Sequence, residues 1–300
     1  SEKSVNAYNT LKDWGMQALI GTTTSTPCTA VVEETHSDNM FQLTPSATAV
    51  DSIQYDNAFR MCFSDPNQGS ASADYIAENK LATKVAIIYN SSDTYSSGIY
   101  QTFATEAKAK GLDVVAAEAF TADNKTDFSV QIQKAKDAGA ELVFLPIYYQ
   151  EASLILAQAN KAGFTPKWFG CDGMDGILDL DGFDASLAEN LMFLTPFTAN
   201  ATDEATQKFV ADYKEAFGDT PIQFAADAYD CVYVIKAAAE KEDVTPDKSA
   251  SDICDALKKG MTEITYDGLT GSAMSWAADG TVNKAPKAME IKNGEYSLIQ

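Results

Sequence analysis

Two segments, Val85-Ala86-Ile87-Ile88-Tyr89 and Leu142-Val143-Phe144-Leu145-Pro146-Ile147, are apolar without alternation. A strand of that kind is buried on both faces, which is the condition of a parallel strand covered by helices on either side. Helical patterns separate such strands. Ser97 to Lys110 carries Ile99, Phe103 and Ala107 at four-residue steps and closes at Gly111. Asp127 caps Phe128 to Ala138, with Phe128, Ile132 and Ala135 on one stripe and Gly139 behind it. Glu151 to Ala162 turns Ala152, Ile155, Leu156 and Ala159 inward and stops at Gly163. Strands alternating with helices of this length predict an α/β fold, with parallel sheets and right-handed crossovers.

The same rhythm supplies further strands at Asp113 to Ala117, Trp168 to Gly170 and Leu191 to Thr195. Further helices fall at Ser72 to Asn79, Ala205 to Phe217, Phe224 to Lys241 and Asp252 to Met261. Ser64-Asp65-Pro66-Asn67-Gln68-Gly69-Ser70 interrupts the pattern and reads as a domain boundary. Pro196 to Asp203 reads as a return linker. The tail, Gly268 to Gln300, reads as extended pieces with turns at Asp279-Gly280 and Asn293-Gly294. Upstream, Ser1 to Trp14 is a helix with Val5, Tyr8, Leu11 and Trp14 on one stripe, so the chain opens on a helix where an α/β domain normally opens on a strand.

Ala18 to Thr29 combines a short strand through Ile20, a turn at Gly21, the hydroxyl run Thr22 to Thr26, and a helix opened by Pro27 with Ser25 and Thr26 as caps. A helix N-terminus among small hydroxyls suits a carboxylate or other small anion. Met40 to Leu43 is a second short strand. Pro45 ends it and leaves Ser46 and Thr48 in the loop behind. Phe59 to Phe63 is one more apolar piece.

With 300 residues, 45% of them hydrophobic, the chain has the length and apolar content of two well-cored domains. Its net charge of −21, from 43 acidic and 22 basic residues, argues against nucleic acid or an anionic membrane as partner. No apolar run approaches the roughly 18 residues of a membrane span. No signal peptide is present, so the chain is either cytosolic or given after processing. The five cysteines, Cys28, Cys62, Cys171, Cys231 and Cys254, include no C-x-x-C pair and no zinc pattern. Cys28 and Cys62 could bridge, or the thiols could be small buried residues.

The loops that follow strands carry Ser25, Ser46, Thr48, Tyr95, Tyr148 and Asp172. Hydroxyls with helix N–H groups suit a carboxylate, and a lone Asp with phenols and carbonyls suits an ammonium. Together they describe an α-amino acid held at both charged ends. The competing account of each is structural: the hydroxyls and Asp172 as caps, Tyr95 and Tyr148 as rim tyrosines. No base, metal cluster or activated nucleophile joins them. His36, the single histidine, lies on a helix flank, and Cys171 has no second histidine to activate it. The aspartates at 172, 175, 179, 181 and 184 lack the order of a calcium loop, and the hydroxyl run lacks the lysine of a phosphate loop. No catalytic residue, metal site or cofactor is therefore expected.

These segments resemble the type I periplasmic solute-binding proteins of ABC importers, and among them the branched-chain amino-acid (Leu/Ile/Val) group. The resemblance runs through Ile20-Gly21 to Ser25, Leu43 to Thr48, Val85 to Tyr95, Asp127-Phe128-Ser129, Tyr148-x-x-Glu151, Ala159 to Gly163, Phe169 to Gly173, and Gly268-x-x-Gly271 with Asp279-Gly280. It implies a two-lobed clamp, parallel sheets in both lobes, and three crossovers as hinge. Residues 1–63 and 198–285 would form one lobe and 64–197 and 286–300 the other, with hinges near 63–66, 196–199 and 285–288.

By the same resemblance Ser25 and Thr48 hold the ligand's carboxylate, with backbone groups near Thr24 and Ser46, and Thr23 and Ala47 belong to the ligand-binding set. Thr48, the Ser46 carbonyl and Asp172 hold its ammonium. Tyr95 and Tyr148 close from the second lobe, and Phe224 lines the side-chain pocket. Asp172 stands where the family often has the longer Glu. The uncharged character of Thr23, Tyr95, Tyr148 and Phe224 leans towards an aliphatic or aromatic ligand side chain.

The implied function is extracytoplasmic delivery of an amino acid to an ABC permease, by a monomer that is periplasmic or lipid-anchored and does no catalysis. The alternative is the ligand-sensing domain of a receptor or regulator of the same fold. The family also begins with a strand, a helix and a second strand ahead of the helix found here, which predicts that this chain is a shortened version of a longer protein with an open sheet edge in its first lobe.

Overall fold

The computed structural model describes residues 1–299. The chain packs as two compact units, Ser1–Ser64 with Asp203–Ala285, and Asp65–Thr202 with the segment from Pro286 onward. The divisions thus fall at 64/65, 202/203 and 285/286, against 63/64, 197/198 and 285/286 implied by the resemblance.

The first unit holds three short strands, β1 (Leu19–Ile20), β2 (Gln42–Thr44) and β3 (Ala58–Arg60), paired parallel in the order β1-β2-β3. Around them lie α1 (Glu2–Trp14), α2 (Ser25–Ser37), α7 (Glu204–Phe217), α8 (Gln223–Lys241) and α9 (Ala250–Glu263). Phe41, Leu43, Phe59 and Met61 pack on Val234, Leu257, Met261 and Trp276. Tyr8 of α1 packs on the other side with Leu19, Val31 and Met40. Cys28 does not bridge Cys62: its sulfur takes a hydrogen bond from the Gln42 amide at 3.3 Å and faces the Ser52 carbonyl at 3.8 Å.

The second unit is built on a seven-stranded sheet of β4 (Lys84–Asn90), β5 (Asp113–Phe120), β6 (Leu142–Leu145), β7 (Lys167–Gly170), β8 (Met192–Thr195), β9 (Lys287–Lys292) and β10 (Glu295–Leu298). Its order is β10-β9-β8-β7-β6-β4-β5. The strands β4 to β8 pair parallel, and β9 and β10 add antiparallel at one edge. The unbroken apolar character of the central strands has a direct cause. Val85 and Ile87 face a layer with Ile76, Ile99 and Phe103, whereas Ala86 and Ile88 face a layer with Phe128, Ile132 and Ile155. In β6, Leu142 and Phe144 join the first layer and Val143 and Leu145 the second. The helices are α3 (Asp65–Glu78), α4 (Thr94–Ala109), α5 (Ser129–Asp137) and α6 (Tyr149–Lys161).

The stretch read as a domain boundary does hold the division between the units, at 64/65, and it is also helical. Residues 65–70 of that stretch form the start of α3, which runs on through Pro66 and Gly69. Pro66 is the second helical residue, where no N–H is needed. Gly69 is a contact glycine: a Cβ there would stand 2.8 Å from the Ile99 carbonyl oxygen and from the Phe103 nitrogen of α4. In the tail, the expected turn at Asn293-Gly294 joins β9 to β10, both residues having positive φ. Gln300, which ends the expected extended tail, lies outside the described residues.

Candidate functional site

In the first unit, the ends of β1 and β2 bring two loops together. Helix α2 starts at Ser25 rather than at Pro27, and Thr24 occupies the N-cap position with extended backbone. Ser25 is therefore the first helical residue and not a cap, nor is Thr26. The reason lies across the loop: the Ser25 Oγ accepts the Ala49 N–H at 3.2 Å. Thr44 adds a second tie, donating to the Thr22 carbonyl at 2.7 Å and accepting the Ala47 N–H at 3.0 Å. Thr24 makes no side-chain cap bond at the helix N-terminus.

Ser25, Ser46, Ala47 and Thr48 are thus gathered and buried, while Thr23 is exposed. Thr48 has no exposed surface, yet its hydroxyl has no hydrogen-bond partner. A buried hydroxyl left unpaired costs about 1–3 kcal/mol, so a group from outside the chain that bonds to it recovers that energy. Phe224 is the second residue of α8 and is half-buried.

In the second unit the site residues follow three strands. The chain leaves β4 for β5 on one side and then crosses to β6 on the other, so the order reverses between β4 and β6. Crevices of open α/β sheets form at such a reversal, beyond the C-terminal strand ends. Tyr95 follows β4 in the first turn of α4, whose N-cap Asp93 accepts the Ser96 N–H. Tyr148 follows β6 as the N-cap of α6, and Asp172 follows β7.

These three residues meet. The Tyr95 hydroxyl donates to Asp172 Oδ1 at 2.7 Å and accepts the Gly173 N–H at 2.9 Å. The Tyr95 and Tyr148 rings stack with centroids 4.6 Å apart. The Asp172 N–H donates to Gln68 Oε1 at 3.0 Å. Burial, and next the Asp172 carboxylate, push the Tyr95 hydroxyl well above its usual range, so it remains a donor at neutral pH. Burial likewise raises the Cys171 thiol, with the charge of Asp172 next in effect, and a protonated buried thiol is no nucleophile.

Three residues of these sites escaped the sequence reading. Gln68 lay in the stretch read as a domain boundary. Gly173 is set by contact alone, since a Cβ there would come within 2.8 Å of the Tyr95 hydroxyl and 2.9 Å of the Ile147 carbonyl. Arg60 gave a readable signal, as the one arginine in the sequence, closing an apolar strand. His36, read as a surface residue, is exposed and stacks on Tyr55 at 3.9 Å.

The chain spans most of the length of known proteins that it is similar to. It is 28% identical over 264 residues to a Leu/Ile/Val-binding protein homolog of Brucella melitensis, covering 86% of this chain and 69% of that one. The leucine-binding protein LivK of Thermotoga maritima superposes with a TM-score of 0.88 at 25% identity, over 100% of this chain and 83% of that one. The branched-chain amino-acid binding protein LivJ of Streptococcus pneumoniae, solved with isoleucine, gives 0.83 at 26% identity, over 99% and 82%. The model of the periplasmic binding protein family matches residues 1–295. With that match added to the strand-end loops, the chain belongs to the periplasmic binding protein family.

Proposed function

We propose that this protein binds a hydrophobic α-amino acid, of branched-chain type, and delivers it to the permease of an ABC importer. The family is one of binding proteins outside the cytoplasm, and its members do no covalent chemistry. The observation that carries the reading is the unpartnered, fully buried Thr48 hydroxyl beside the N-terminus of α2. Ser25, Thr48 and the backbone near Thr24, Ser46 and Ala47 take the carboxylate in this reading. Asp172, oriented by Tyr95, takes the ammonium, with Tyr148 and Phe224 against the apolar side chain. An α-amino acid carries both of the charges that these two sets of groups answer. The names of the relatives and the isoleucine bound to one of them support the same ligand class.

The test is titration calorimetry of the purified chain with L-leucine, L-isoleucine, L-valine and L-phenylalanine, with L-lysine and benzoate as contrasts. Binding of the aliphatic amino acids ahead of both contrasts is the expected result. Binding of benzoate alone, or of none of the series, overturns it.

A further inference from the structure

Arg60 ends β3 with 2% of its surface exposed and is the only arginine of the sequence. Its backbone is fixed on both sides: its N–H donates to the Gly280 carbonyl at 3.1 Å, and its carbonyl accepts the Trp276 indole N–H at 2.9 Å. The guanidinium reaches the site loop. Nη1 donates to the Thr48 carbonyl at 2.6 Å and Nη2 to the Val50 carbonyl at 3.3 Å, while Nε is buried without a partner.

The other buried cation of this unit, Lys284, has Asp227 at 3.1 Å. Arg60 has no carboxylate within ion-pair distance among the described residues. An arginine cannot escape the cost of burial by losing its proton, and two carbonyl dipoles offset a full charge only in part. Asp279 acts on Arg60 at longer range without an ion pair and is itself tied to the Thr281 hydroxyl, so the balance at the guanidinium is partial.

We infer that Arg60 is a positioning and selecting residue for the ligand's carboxylate: it holds the Thr48–Val50 backbone and keeps a positive charge that no ion pair neutralises directly behind the hydroxyl loop. The inference rests on the proposed amino-acid ligand. The fork has two effects. It commits the Thr48 carbonyl inward, beside a Thr48 hydroxyl that has no partner, and it presets the segment whose Ala49 N–H meets Ser25. Its charge, little screened in a buried setting, favours an anion at Ser25 and Thr48 over a neutral group of the same shape.

The test compares L-leucine with L-leucinamide, which keeps the amine and the side chain but lacks the carboxylate. Calorimetry is run on the wild type, Arg60→Gln and Arg60→Lys, each checked for folding by circular dichroism. Gln keeps an amide donor for the Thr48 carbonyl and removes the charge, whereas Lys keeps the charge and removes the fork. Arg60→Gln is expected to weaken L-leucine by about tenfold or more while changing L-leucinamide by less than about threefold, so that the preference for the carboxylate collapses. Arg60→Lys is expected to recover most of that preference.

Equal losses for both ligands, or an unchanged preference in folded Arg60→Gln, overturn the inference and leave Arg60 a scaffold residue. If Arg60→Gln does not fold, Arg60→Lys decides: loss of the preference there overturns the inference, and retention with weaker overall binding supports it. A wild type that binds neither ligand defeats the proposed function itself, and the inference falls with it.

Discussion

The Tyr95 hydroxyl sits between two neighbours in sequence, donating to the Asp172 carboxylate at 2.7 Å and accepting the Gly173 N–H at 2.9 Å. Residues 77 apart are thereby locked, and the phenol fixes where one carboxylate oxygen lies. Asp172 is 2% exposed, so its orientation is not left to solvent. Removing the hydroxyl in Tyr95→Phe leaves a buried acceptor and a buried N–H without this partner. A stability loss of about 1–3 kcal/mol is expected from urea unfolding, together with weaker binding of L-leucine in calorimetry. Unchanged stability and unchanged binding would show the bond to be incidental.

Asp172→Asn keeps the shape of the side chain and removes its charge. Binding of L-leucine should weaken by about 1–3 kcal/mol, and 4-methylpentanoate, which lacks the amine, should not lose affinity. A parallel loss for both ligands would assign Asp172 to the scaffold.

Gly173→Ala places a methyl group 2.8 Å from the Tyr95 hydroxyl and 2.9 Å from the Ile147 carbonyl. The Ile147 contact is with backbone, which cannot swing aside. Overpacking of this kind costs about 1–3 kcal/mol, read as a lower urea midpoint at constant m value.

Lys284 is the buried partner of Asp227 at 3.1 Å, and it also donates to the Met61 carbonyl at 2.8 Å and to Thr270 Oγ1 at 2.6 Å. Lys284→Met strips the counter-charge from a fully buried carboxylate, and a loss of about 3–5 kcal/mol is expected. Pairing it with Asp227→Leu should cost less than the single change. A single variant as stable as wild type would refute the assignment.

Alkaline pH should unfold the chain early. Burial pushes the Cys254 thiol up to about 12 and raises Cys171 and Cys231 well above their usual range, and Tyr95 likewise. Each group has a higher pKa folded than unfolded, so its contribution is complete below the unfolded value and fades as pH rises toward the folded one. Stability should therefore hold to about pH 8 and fall beyond about pH 9. Urea midpoints under reducing conditions at both ends of that range check it; equal midpoints would contradict the burial of these groups.

Much was legible in the residues because local chemistry decided it. Apolar runs such as Val85 to Tyr89 announced strands covered on both faces, and the glycines at 139 and 163 marked helix ends where the backbone takes positive φ. The residue types expected at the strand ends also stand there: Ser25, Ser46 and Thr48 in one unit, Tyr95, Tyr148 and Asp172 in the other. Tertiary structure decided what local chemistry could not. Gly69 reads as a breaker in sequence and is a helix contact in space, because only the approach of α4 gives its missing side chain a meaning. Ser25 reads as a cap and is a tie to Ala49, because the N–H that it accepts lies 24 residues away. Arg60 went unread, because its acceptors at Thr48 and Val50 exist only once that loop folds back over β3. Spacing along a chain encodes periodicity and caps, whereas hydrogen bonds between distant segments depend on a backbone path that no short window contains.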